Sequence, residues 1–139
     1  MLKTAEKFLA EMDRLGLKYK EAKDLPDGKT VVTVGWEREM TQYDVSLFFF
    51  EDGKSLTLRI FRLFTVPVDK RLDILEQMNT FNRDYRWVKF FVDKENRASL
   101  QIDAIADEDT SGKIPLELML RTNTIIDSTY PAFMHIIWG

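Results

Sequence analysis

The chain predicts an α+β fold in which helices pack on one antiparallel sheet, with 139 residues forming a single domain over positions 1–139. Two observations carry this. The spacing of apolar residues changes from the helical period to the two-residue strand period and back again along the chain. The strand-like segments are also joined by connections too short for parallel crossovers, which leaves antiparallel pairing. The predicted order is α-β-β-β-α-β-β-α.

Leu2, Ala5, Phe8, Leu9, Met12 and Leu15 recur at three- and four-residue steps and mark the first helix. Gly16 supplies its stop, and the polar stretch Lys18 to Lys29, with a Pro26-Asp27-Gly28 turn, reads as a connection. Val32, Val34 and Trp36 alternate with Val31, Thr33 and Gly35 in a strand from Thr30 to Glu37. A second strand is expected from Tyr43 to Phe50, and Asp52-Gly53 then turns the chain into a third, from Ser55 to Val66. Pro67 ends it. Leu72, Leu75, Met78 and Phe81 predict the apolar face of a helix over Val68 to Arg83, with Asp69 near its positive end. Two strands follow, Arg86 to Asp93 and Ala98 to Ala106, and the second has one polar face. Pro115 suits the first turn of a last helix with the stripe Leu116, Met119, Leu120, Asn123, Ile126 and Tyr130, and Pro131 predicts a kink or break.

Composition narrows the function classes. At 45% hydrophobic and 31% charged, the chain can build its own core. It has no cysteine, which excludes disulfides, thiolate nucleophiles and cysteine-based metal centres. The net charge of −3 argues against nucleic acid. No apolar run reaches membrane-spanning length and the amino terminus lacks a signal-peptide pattern, so a cytoplasmic location is expected.

The chemistry-bearing residues give no catalytic pattern. Asp107, Asp109 and Ser111 have the spacing that opens a calcium loop, but its twelfth position is Leu118, and a helix-capping loop is the expectation. His135, the only histidine, has no orienting carboxylate or nucleophile nearby in sequence. Arg83, Arg86 and Lys89 interleave with Trp87, Phe90 and Phe91, yet Asp84 and Asp93 flank them and the small residues of an RNA-reading strand are missing. No phosphate loop or metal-ligand spacing is present. The chain is therefore expected not to be an enzyme and to need no cofactor.

The stretch Leu72 to Asp93, reading LDILEQMNTFNRDYRWVKFFVD, carries paired Asn79 and Asn82, then Tyr85-Arg86-Trp87, Lys89-Phe90 and an acidic hairpin turn. It resembles the YbjN-like family, described as bacterial sensory transduction regulators. The resemblance extends more loosely from about Thr30 through the Tyr130-Pro131 break. It implies the two-layer fold of type III secretion chaperones, a homodimer and no catalysis, and it supplies no family binding residues to carry over.

Several strands are apolar on both faces, although a sheet covered on one side should be polar on the other. Either the middle helix or a loop covers the second face, or another chain does, as a second copy or a polypeptide client. In the second case the contact would comprise Phe48, Phe50, Phe61, Leu63, Trp87 and Phe91, rimmed by Arg59, Arg62 and Arg86. The expected function is a protein-binding or chaperone-like regulatory module. The alternative is a small-molecule sensor with a pocket between sheet and helices.

Overall fold

The computed structural model describes residues 1–139 and has the predicted α+β class, with one more strand than expected. Helix α1 (Lys3–Arg14) is followed by β1 (Glu21–Asp24), β2 (Thr30–Glu37), β3 (Gln42–Phe49) and β4 (Ser55–Thr65). A single 3-10 turn (Val68–Lys70) leads into α2 (Arg71–Asp84), then β5 (Lys89–Val92), β6 (Arg97–Ile105) and α3 (Lys113–Trp138). All six strands form one antiparallel sheet in the order β1-β2-β3-β4-β6-β5. The additional strand, β1, pairs Glu21 through Asp24 with Thr33 through Thr30. It has no inward apolar row to betray it, because a charged edge strand is held by backbone hydrogen bonds alone.

α1 ends as its sequence requires. Gly16 sits at φ +70°, and the Leu17 N–H reaches back to the Met12 carbonyl at 2.9 Å, a Schellman closure. The three helices share one face of the sheet, where α1 packs on β2, α3 on β4 and α2 on β5. That face supplies Val32, Val34, Val45, Leu47, Leu58, Ile60, Leu100 and Ile102 to a continuous core. Phe133 of α3 is its aromatic hub, with ring centroids 5.1 Å from Phe64, 5.3 Å from Phe81 and 5.5 Å from Phe90. Such edge-on and tilted contacts add to the area term of burying each ring.

Two helices are rotated from their predicted faces. α2 buries Ile74 and Met78 and half-buries Phe81, leaving Leu72 69% exposed and Leu75 exposed. The buried stripe runs through Ile74, Met78 and Phe81, which turns Leu72 and Leu75 away from the core. α3 buries Pro115, Leu118, Met119, Thr122, Asn123, Ile126, Thr129 and Phe133, while Leu120 faces solvent. The polar members of this stripe find partners except at Asn123 Nδ2, which is buried without one. Thr122 and Thr129 donate to the carbonyls of Leu118 and Ile125 at 2.8 Å, and the Tyr43 hydroxyl donates to Asn123 Oδ1 at 2.6 Å. Burial pushes the Tyr43 phenol pKa well above its ordinary value. α3 also runs unbroken through Pro131. Pro131 is exposed, so water can satisfy the carbonyl it orphans, and buried Thr129 and Phe133 anchor the helix on either side.

Asn82 joins α2 to the sheet. Its Nδ2 donates to the Phe90 carbonyl at 3.0 Å, and the Phe90 N–H donates to its Oδ1 at 2.7 Å. Lys89 and Phe91 pair with β6, so the Phe90 backbone points to the outer edge, where one side chain satisfies both of its groups. Asn82→Ala should cost about 1–3 kcal/mol, because two partly buried backbone groups lose their partner, and urea unfolding would measure it. Acid should weaken the fold as well. Asp127 is held below the usual carboxylate range by the hydrogen bond from Arg38, and Asp52 by the Lys54 and Ser55 N–H groups and the Ser55 hydroxyl. A lowered folded-state pKa contributes stability above about pH 4 that is lost as pH falls through the lower folded value. Asp127→Asn should flatten the fall in urea midpoint across that acid range.

Candidate protein-contact site on the helix-free sheet face

Strand alternation places the other half of the side chains on the face no helix covers. One register row crosses the whole sheet, running Glu21, Thr33, Ser46, Arg59, Gln101, Lys89 through six strands. This polar row is the expected solvent-facing pattern, and Arg59 stands near its middle. The adjoining row runs Lys23, Val31, Phe48, Thr57, Asp103. Val31 is buried and Phe48 half-buried, so an apolar strip lies beside the polar one.

On the other side of Arg59 the ladder is interrupted. Ile60 pairs with Leu100 and Phe64 with Ala98, so Phe61, Arg62 and Leu63 stand opposite Ser99 alone. The bulge keeps Phe61 outward and turns Leu63 inward. Its irregular backbone is satisfied by the buried Ser99, whose hydroxyl donates to the Phe61 carbonyl at 2.6 Å. Phe61 then leans on Phe48, centroid to centroid 6.2 Å.

Arg59 is held between rings. Its guanidinium lies 4.5 Å from the Phe61 centroid and 5.0 Å from that of Phe91. These cation–π contacts hold the charge, but Nε is buried without a hydrogen-bond partner and Arg59 has no carboxylate within 4.0 Å. Arg62 and Lys89 on the same face are also free of ion pairs, whereas Asp44 is neutralised by Lys20 at 2.7 Å. The face therefore carries an unneutralised positive charge on a chain of net charge −3. Beyond the Ser46–Arg59 pair, β3 and β4 diverge and leave a depression of about 710 Å³, walled by Thr33, Gly35, Asp44, Phe61 and Arg62.

The expected contact residues divide into three groups. Phe48, Phe61, Phe91 and Arg59 come together, and Arg62 borders them. Leu63 is a correction: it is 6% exposed and belongs to the core, because it lies inside the bulge, where the ladder that would have placed it outward is interrupted. Phe50, Arg86 and Trp87 lie elsewhere. Phe50 sits beyond the end of β3 with Lys29 Nζ 5.1 Å from its ring, and the Arg86 guanidinium lies 5.1 Å from the Trp87 ring in the α2–β5 connection. Phe50 and Trp87 instead line a groove of about 800 Å³ between the end of β6 and α3, with Ile102, Ile105, Ile114 and Leu118. Sequence reading missed that groove. Its one legible signal is Ile105, an apolar residue at an outward position of a strand whose outward face is otherwise polar.

The remaining candidates have structural accounts. Asp107 Oδ1 accepts from the N–H groups of Asp109 and Thr110, so the acidic loop closes on itself. No three His, Asp or Glu side chains converge as a metal site. His135 is exposed on α3. Asp93 takes part in the hairpin turn; burial acts to raise its carboxyl, but the Arg97 N–H and guanidinium and the Glu95 N–H prevail and hold it low. No helix is long and apolar enough to cross a membrane.

A family model described as YbjN, "Putative bacterial sensory transduction regulator", matches residues 4–122. No curated protein matches the chain.

If the Arg59 cation is not required by the fold, Arg59→Met should leave the urea midpoint unchanged or raise it, since the aliphatic chain fills the space between the rings without an unpaired donor. A loss above about 1 kcal/mol would make the arginine a structural element.

Proposed function

The chain belongs to the YbjN family, and we propose that it acts as a non-enzymatic protein-binding module through its helix-free sheet face. The observation that carries this reading is Arg59, an unneutralised cation with a buried, unpartnered Nε, held between Phe61 and Phe91 at the middle of an uncovered sheet. Aromatic and arginine side chains concentrate binding energy at protein contacts, and an arginine fixed by its neighbours loses little rotamer freedom on binding. Phe48 and Phe61 supply the apolar part, and Arg62 and Lys89 lie where a polar rim would form.

The partner is a polypeptide bearing carboxylates. Another copy of the chain fits only in an offset two-fold arrangement that brings Asp44 or Asp103 of one face onto Arg59 of the other, because superposing the two patches directly would oppose like charges. A homodimer of that offset kind and a cytoplasmic acidic client are the two forms of this proposal. The small-molecule alternative would use the groove beside β6, which is open along one side and suits a chain segment better than an enclosed ligand.

Phe61 is 37% exposed, so Phe61→Glu should preserve the circular dichroism spectrum and the melting temperature. It should weaken association at least about tenfold, and association of the native protein should also fall with added salt. Sedimentation across a concentration series reads self-association. Recovery of a stoichiometric partner from the native host, compared between the native protein and Phe61→Glu, reads a client. If the variant folds and retains every association of the native protein, this face is not the contact.

A further inference from the structure

The sheet has an uncovered edge distinct from the helix-free face. β5 pairs only with residues 98–101 of β6, leaving Ile102 to Ile105 with β4 on one side and no strand on the other. The ladder fixes which backbone groups point outward. The Ala106 N–H donates to the Lys54 carbonyl at 2.9 Å, so the even-numbered residues here face β4 and Asp103 and Ile105 face the open side. No hydrogen bond from the Trp87 connection reaches them. Trp87 itself sits at φ +80°, a strained conformation for a bulky side chain, and it carries the chain away from the position that would pair with Asp103.

The surroundings of this edge are two-sided. On the α3 side Ile102, Ala104, Ile114 and Leu118 form the apolar wall of the groove, and Trp87, 46% exposed, stands at its end. On the other side Asp103 accepts from Thr57 Oγ1 at 2.6 Å and Gln101 Nε2 at 3.2 Å, with no cation within 4.0 Å. Ile105 is 85% exposed. The other edges are guarded, β1 by its charged side chains and β5 at Phe90 by Asn82.

We propose that this edge is a strand-addition site for an extended segment of a partner polypeptide, with apolar side chains toward α3 and a basic side chain opposite Asp103. Backbone pairing with Asp103 and Ile105 supplies the directional part of the contact. The alternating wall and carboxylate select the segment, since successive side chains of an added strand fall on opposite faces. The site does not use Arg59, Phe48, Phe61 or Phe91, and it stands whether or not the helix-free patch is a contact.

The test uses the full chain and a short peptide of alternating valine and lysine. Amide exchange followed by NMR should show Asp103 and Ile105 exchanging freely alone, and at least about tenfold more slowly with the peptide bound. Ile105→Pro removes an outward N–H that the fold does not use and should abolish binding. Asp103→Asn, which keeps the edge, should weaken it about tenfold, and a valine–glutamate peptide should not bind. Phe61→Glu should bind the valine–lysine peptide as the native protein does, so failure of the sheet-face reading would leave this result standing. Slow exchange at Asp103 and Ile105 in dilute free protein would overturn the proposal. So would slowing that follows protein concentration, which would assign the edge to another copy, and so would undiminished peptide binding by Ile105→Pro, which would mean the groove holds the peptide without pairing.

Discussion

Three helices on one face of a six-stranded sheet leave half of the strand side chains to be solvated or covered by something else. This constraint organises the molecule. Because successive residues of a strand point to opposite faces, the covered side fixes the other side's register as well. The row from Glu21 to Lys89 is polar across all six strands because its inward neighbours must be apolar. Departures from polarity on that face are then informative. Phe48, Phe61 and Phe91 gather around a single arginine, with Val31 beside Phe48, and Ile105 stands apart at the end of β6.

The bulge in β4 makes the cluster possible. An unbroken ladder would have set Phe61 and Leu63 side by side outward and taken an apolar residue from the core. With Phe61, Arg62 and Leu63 opposite Ser99, Leu63 returns to the interior and one aromatic ring stays outside, against Arg59. Ser99 completes the arrangement by taking up the displaced carbonyl, which explains a buried hydroxyl on an otherwise exposed row.

Most of the fold was legible because its signals are local. The Gly16 stop, the Asp52-Gly53 hairpin and the alternation from Thr30 to Glu37 each follow from neighbouring residues. What was missed depended on distant chain. β1 has no apolar pattern of its own, and α2 leaves Leu72 and Leu75 exposed because the face it turns to the core runs through Ile74 and Met78. The same holds for the site. Phe48, Phe61, Phe91 and Arg59 were readable from two-faced strands, whereas the inward turn of Leu63 required knowing that β6 offers one residue against three. Trp87 and Arg86 looked like part of the same face, but a positive φ at Trp87 directs its ring to the groove, and Arg86 lies against that ring.

The connection between α2 and β5 has a geometric role beyond linking them. Asn82 grips Phe90 eight residues away, and Tyr85 through Val88 must span the gap between helix and strand. β5 therefore cannot slide along β6 without releasing that grip, and the positive φ at Trp87 ends its pairing short of Asp103. The unfilled end of the sheet is thus a boundary condition imposed by loop length: the molecule is folded in a way that prevents it from completing its own hydrogen-bond ladder.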